Sequence, residues 1–205
     1  MGIDIIFAIA ILIMSVVIHE VSHGYSAYLL GDSTAKHADR LTLNPIKHLD
    51  IMGSFFVPFV TYLFGGFIFG WAKPVPYNPY NLKNQKWGPA VVGIAGPAAN
   101  LLAALTFGLL IRFEGLITFL PVAFFEIASV VVFINLLLVV FNLIPIPPLD
   151  GSKVLFSFLP YKWHGVEVFL ERFGFFFLLF FIFFFFRFLL PVIGFLFSLI
   201  TGAVF

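Results

Sequence analysis

Five apolar stretches divide the chain, at about 4–30, 51–70, 89–112, 121–149 and 173–205. A helix needs about 20 such residues to cross a bilayer, so the first, third and fourth predict transmembrane helices. The last is long enough for one kinked, tilted helix or two shorter pieces, with Pro191 inside it. The 51–70 stretch is different. It holds Gly53, Pro58, Gly65, Gly66 and Gly70, a poor composition for a helix. The residues Gly70 to Pro79 that follow are too rich in proline and aromatics to be helical. They predict an extended segment at the membrane surface, which could anchor through Trp71 and Tyr77 or pair its edge with an unwound peptide.

Composition agrees with this pattern. The 205 residues are 61% hydrophobic and 10% charged, with a mean hydropathy of +1.10. Soluble domains carry about 25% charged residues. The expectation is an all-α polytopic membrane protein, with four to five transmembrane helices and a re-entrant or extended segment. With no long polar stretch, residues 1–205 read as one membrane domain, with a core at about 4–155 and a Phe-rich helical segment at 173–205. The run Phe175 to Phe188 reads as lipid-facing and carries no chemistry. A net charge of +1 provides no basic surface for nucleic acid, and the lack of cysteine excludes disulfides and thiolate metal sites. The apolar N-terminal run lacks a basic leader, so it is not expected to be a cleaved signal peptide.

The basic residues test whether 51–70 crosses. If it does, Lys36, Arg40, Lys47 and Arg112 face one side, and Lys73, Lys83, Lys86, Lys153, Lys162 and Arg172 face the other. If it enters and leaves on one side, only Arg112 stands opposite the other nine, with Arg187 inside the last helix left out of the count. Loop Lys and Arg collect on the cytoplasmic side, which favours the re-entrant path, with the 31–88 region cytoplasmic. The same path makes the helices at 4–30 and 121–149 parallel.

That parallel arrangement matters for His19-Glu20-Val21-Ser22-His23, an H-E-x-x-H pattern inside an apolar helix. Positions i and i+4 share one helix face, so the two imidazoles can hold one zinc ion while Glu20 serves as general base for the attacking water. Ionisable groups inside a membrane are functional candidates by default. A catalytic zinc site uses three protein ligands. Asp150, in the stretch Asn142 to Gly151 and expected at the end of the 121–149 helix, is the best third candidate. Its bland alternative is a helix-end aspartate at the water interface. Asn142 could donate to a developing oxyanion or simply pack between helices. His48, just before the 51–70 stretch, could help position substrate or serve as an interfacial cap. His37 and His164 read as solvated loop residues. Ala95 to Asn100 opens a helix with small residues suited to close packing around the site.

These stretches, Asn44 to Asp50 among them, resemble the site-2 proteases, zinc metalloproteases that cleave peptide bonds inside membranes. The resemblance covers about residues 15–155 and is closest to compact prokaryotic members without PDZ or CBS domains. It implies one Zn2+ on His19, His23 and Asp150, Glu20 as catalytic base, and substrate contact around Asn142 and Pro145. It further implies a multi-pass protein of a prokaryotic plasma membrane, with its active site toward the cytoplasm and transmembrane proteins as substrates. Ser152 stands where many relatives have a second glycine. A homo-oligomer is compatible with the sequence. Other readings are a zinc hydrolase of lipid amides, a metal transporter, and a non-catalytic metal-binding membrane protein. The clustering of polar residues at one depth disfavours a transport path, and zinc binding alone has no need of Glu20. Two His and one carboxylate also suit iron, but the neighbouring Glu favours hydrolysis.

Overall fold

The computed structural model describes residues 5–65, 70, 72–117 and 119–203, so Gly66 and Trp71 lie outside the described residues. The described chain is helical throughout its regular parts. Its elements are α1 (Ile5–Leu29), α2 (Thr34–His37), α3 (Val57–Gly65), α4 (Gly88–Arg112), α5 (Val122–Asn142), α6 (Asp150–Phe158), α7 (His164–Phe185) and α8 (Leu189–Thr201). Four helical stretches are long and apolar enough to cross a membrane: α1, α4, α5 and the run His164–Thr201. Their outward faces carry large apolar side chains, such as Ile6, Leu102 and Phe183. A water-soluble fold would bury such a surface, and a bilayer accommodates it.

Helix α4 is the centre of the bundle. It packs against α1, α5, α6 and α8. Ala104 and Ile111 of α4, Val132 and Leu136 of α5, and Ile193 and Phe197 of α8 form the main apolar core. Pairings fix the directions. Ala27 of α1 packs with Leu82 and Val92, and the Lys83 N–H donates to the Leu30 carbonyl (2.9 Å). The end of α1 therefore meets the start of α4, and the two helices are antiparallel. Asn100 of α4 bonds Asn135 of α5, and Asn135 bonds Ser15 of α1. Helices α4 and α5 are thus antiparallel, and α1 and α5 run the same way, as the re-entrant path requires. At the far end of α4, the Arg112 guanidinium donates to the Leu199 carbonyl (2.7 Å) in the last turn of α8.

The segment between α1 and α4 returns to where it began. The Lys73 N–H donates to the His48 carbonyl (2.9 Å), so the two ends of the 49–72 excursion meet. Within it, the π-type turn Met52–Phe56 continues into α3. At 1.5 Å per residue that helix is about 21 Å long, short of the roughly 30 Å hydrocarbon core. Residues 72–78 are extended, as their prolines predict. Two buried groups tie them down. Arg40 donates to the Lys73 carbonyl (2.7 Å). Asp32, just past the end of α1, accepts from the Asn78 N–H (2.7 Å), the Asn81 amide (2.9 Å) and the Thr34 N–H (3.1 Å).

Two boundaries differ from the sequence reading. The apolar run 121–149 is not one helix: α5 stops at Asn142, residues 143–149 turn, and Asp150 opens α6. Prolines at 145, 147 and 148 lack the N–H that a helix needs and crowd the preceding turn, so the break comes before the apolar run ends. The C-terminal helix begins at His164 rather than 173 and divides at the tight turn Phe186–Phe188. Pro191 falls in the first turn of α8, where a missing N–H costs nothing.

Candidate metal centre

Three side chains from two distant parts of the chain converge at one point inside the bundle. His19 and His23 lie one turn apart on the buried face of α1. Asp150 reaches them from the first turn of α6. His19 Nε2 and His23 Nε2 are 3.0 Å apart, and each is 3.0 Å from Asp150 Oδ2. All three residues are buried.

The outer ring nitrogens determine what the inner ones can do. His23 Nδ1 lies 2.6 Å from the Val92 carbonyl, which only accepts, so this nitrogen carries the proton. His19 Nδ1 lies 2.5 Å from Asn100 Oδ1. The Asn100 amide cannot be turned round, because its Nδ2 donates to the Ser15 carbonyl (3.2 Å) and Asn135 Oδ1 (2.7 Å). His19 therefore also carries its proton on Nδ1. With both rings neutral, the two Nε2 atoms present lone pairs to each other and to a carboxylate oxygen. Three acceptors this close repel unless a cation lies among them. Tetrahedral zinc with N and O ligands at 2.0–2.2 Å would set them ~3.3 Å apart, so the donor set and its spacing fit that ion.

Backbone shape makes the convergence possible. A Cβ at position 96 would lie 2.5 Å from His23 Nε2 and 2.7 Å from His19 Nε2, so only Gly96 leaves α4 smooth enough for the imidazoles. Val92, Gly96 and Asn100, at four-residue spacing, form one face of α4 behind the cluster. Pro97 removes the N–H that would bind the Gly93 carbonyl, and the adjacent Val92 carbonyl is the one that receives His23. At position 151 a Cβ would run into the Leu143 and Ile144 carbonyls, so the glycine after Asp150 lets the 143–149 turn fold back over α6.

Glu20 follows His19 but faces a different group. Its Oε2 accepts from the Val75 N–H (2.9 Å), which holds the carboxylate against the extended segment. That segment has few donors to offer a partner. The N–H groups of Lys73, Val75 and Asn78 are engaged, and Pro74 and Pro76 have none. The Lys73 carbonyl receives Arg40, so what the segment can offer a partner is its other carbonyls.

The remaining residues singled out in the sequence sit elsewhere. The Asn142 amide donates back to the Leu138 carbonyl (3.0 Å) in the last turn of α5. Pro145 is exposed in the turn that follows. His48 is buried, its Nε2 donating to the Thr42 carbonyl (2.8 Å) while its own carbonyl closes the 49–72 excursion. His164 pairs with Glu167 (3.1 Å) on the exposed start of α7.

Sequence reasoning did not find Ser15 and Asn135. Asn135 Nδ2 donates to Ser15 Oγ (3.0 Å), extending the Asn100 chain across α1, α4 and α5. A signal for each was present: Ser15 precedes His19 by the same four residues that separate the histidines, and Asn135 is an amide inside an aliphatic run. Replacing the Asn100 amide by an apolar group, Asn100→Leu, should lower Zn2+ affinity about 10–100-fold with helix content unchanged. Asn100→Asp, which keeps an acceptor for His19, should retain affinity. Competition with a chromogenic chelator measures both.

Comparison with known proteins places this geometry in context. Residues 114–185 match the model described as Peptidase family M50. A Bacillus subtilis protein provisionally named zinc metalloprotease YwhC is 38% identical over 174 residues, covering 82% of this chain and 76% of that protein. A Mycolicibacterium smegmatis protein provisionally named zinc metalloprotease Rip2 is 34% identical over 153 residues, 73% of this chain and 56% of its own length. The Rip2 protein of Mycobacterium tuberculosis is 27% identical over 150 residues, with the same shares covered. No solved structure matches. The chain belongs to peptidase family M50, the site-2 proteases that its motifs resemble.

Proposed function

We propose that this protein hydrolyses peptide bonds within or beside transmembrane segments of other membrane proteins, at a zinc centre made by His19, His23 and Asp150. The observation that carries the proposal is the triangle of three buried lone-pair donors, 3.0 Å on each side. It lies in a metalloprotease-family chain whose next residue after His19 is a carboxylate. Zinc held there supplies Lewis acidity, making water a better nucleophile at neutral pH and polarising the scissile carbonyl.

The chain's own residues do the rest. Glu20 takes the proton as water oxygen bonds to the carbonyl carbon, then passes it to the leaving nitrogen as the C–N bond breaks. The Val75 N–H keeps the Glu20 carboxylate pointed to one side between turnovers. Asn100 and the Val92 carbonyl hold the imidazoles in the tautomer that leaves both Nε2 lone pairs free. Carbonyls of the 72–78 segment other than that of Lys73 accept from the amides of a substrate stretch unwound from its helix. A transmembrane helix shields its own amides, so residues that break helices near the cut should favour cleavage. Asn142 and His48 are engaged with the Leu138 and Thr42 carbonyls, so a role toward substrate requires those contacts to open, whereas Pro145 is exposed in the turn after α5.

The active site faces the cytoplasm in this reading. The end of the bundle that holds the cluster also carries Lys36, Lys83, Lys153 and Lys162, while Arg112 lies at the other end. The chain has no native cysteine, so single introduced ones report cleanly. Gln85→Cys should react with a membrane-impermeant maleimide only after cells are permeabilised, and Phe119→Cys should react in intact cells; the opposite pattern would invert the orientation.

The chemistry has its own test. Purified protein reconstituted with a model transmembrane substrate should cleave it. Glu20→Gln should lower the rate at least about 100-fold, as loss of a general base does, with zinc content unchanged. A Glu20→Gln protein that cleaves at the normal rate would remove Glu20 from the mechanism. Release of fatty acid from lipid amides, without peptide cleavage, would favour the lipid-hydrolase reading.

A further inference from the structure

The Asp150 carboxylate has two oxygens, and the cluster uses one. Oδ2 faces both imidazoles. Oδ1 accepts from the Lys153 ammonium at 2.8 Å, one turn along α6. This is not a surface ion pair, because the Asp150 side chain is only 8% exposed. A buried carboxylate oxygen without a donor is costly, and Lys153 supplies that donor.

The lysine is itself held. Its stem lies against Gly93 of α4, where a Cβ would come within 3.1 Å of Lys153 Cβ. Its ammonium sits 5.5 Å from the centre of the Tyr77 ring in the extended segment. Beyond it opens a cavity of about 390 Å³ between Tyr77, Pro147, Phe156 and Phe175. Lys153 therefore stands between the cluster and open space, with its head group directed at Asp150.

We propose that Lys153 is a positioning residue that commits Asp150 to one-oxygen ligation and so keeps one coordination position open. This rests on the metal centre proposed above. A hydrolytic zinc site needs three protein ligands and a free place for water or substrate. Carboxylates also bind cations through both oxygens. With Oδ1 engaged by Lys153, Asp150 cannot turn its second oxygen to the metal and fill that place. Were Oδ1 released, the carboxylate could pivot, and the open position would close.

The test uses the full-length protein loaded with Co2+, whose visible spectrum is intense for four-coordinate and weak for five-coordinate sites. Lys153→Met should weaken the spectrum and lower kcat about 10–100-fold, with KM within about two-fold. Lys153→Arg should restore both, because a cationic donor again reaches Oδ1. Lys153→Gln, which keeps a donor without the charge, should fall between them and serves if the methionine variant does not fold. If Lys153→Met or Lys153→Gln keeps the wild-type spectrum and kcat while His19→Ala loses the spectrum, this inference is overturned and the metal centre stands. If His19→Ala keeps the spectrum as well, the metal centre is overturned and this inference with it.

Discussion

Two imidazoles and a carboxylate oxygen, each 3.0 Å from the others, need positive charge among them to stay together inside an apolar bundle. Much of the architecture follows from that constraint. The two histidines need one face of one helix, which H-E-x-x-H spacing provides. The carboxylate must arrive from elsewhere, so α5 has to run parallel to α1 and deliver Asp150 at the same depth. Between them α4 must be flat, which Gly96 achieves, and must supply acceptors for the outer ring nitrogens, which Asn100 and the Val92 carbonyl do. Burying polar groups in such a place costs several kcal/mol when they lack partners. Here the outer ring nitrogens, Asn100, Asn135 and Ser15 each have one.

The excursion between α1 and α4 serves the same end. By returning to its starting point, with the Lys73 N–H on the His48 carbonyl, it makes one net crossing between α1 and α5 instead of two. It also lays the 72–78 segment beside Glu20. Helices, loop and turn therefore meet around one small polar volume, while the outward faces of the long helices carry large apolar side chains for lipid.

Some of this was legible in the sequence and some was not. The histidine pair was legible because its periodicity is local. Asp150 was legible because a carboxylate straight after a proline-rich stretch, at the end of an apolar run, makes little structural sense without a cation to bind. The bend of 51–70 could be argued from the lysines and arginines, which report which side each loop occupies. The end of α5 was not, because Leu143 and Ile144 are as apolar as the helix before them and the prolines act from a distance of a few residues. The start of α7 at His164 was missed for a related reason: hydropathy marks the lipid boundary, and a helix continues past it. The Ser15–Asn135–Asn100 chain depends on how three helices are rotated about their axes, and no single segment encodes that. Lys153 was seen only as a loop charge, since its meaning depends on which Asp150 oxygen faces the histidines.

The account stands or falls on the metal centre. X-ray absorption at the zinc edge of the purified protein measures it directly, through the ligand types around the ion. Two imidazoles and a carboxylate oxygen on one zinc per chain, with the zinc lost in Asp150→Ala, is the predicted result. A wild-type protein without zinc, or an Asp150→Ala protein whose zinc keeps the same surroundings, would contradict it.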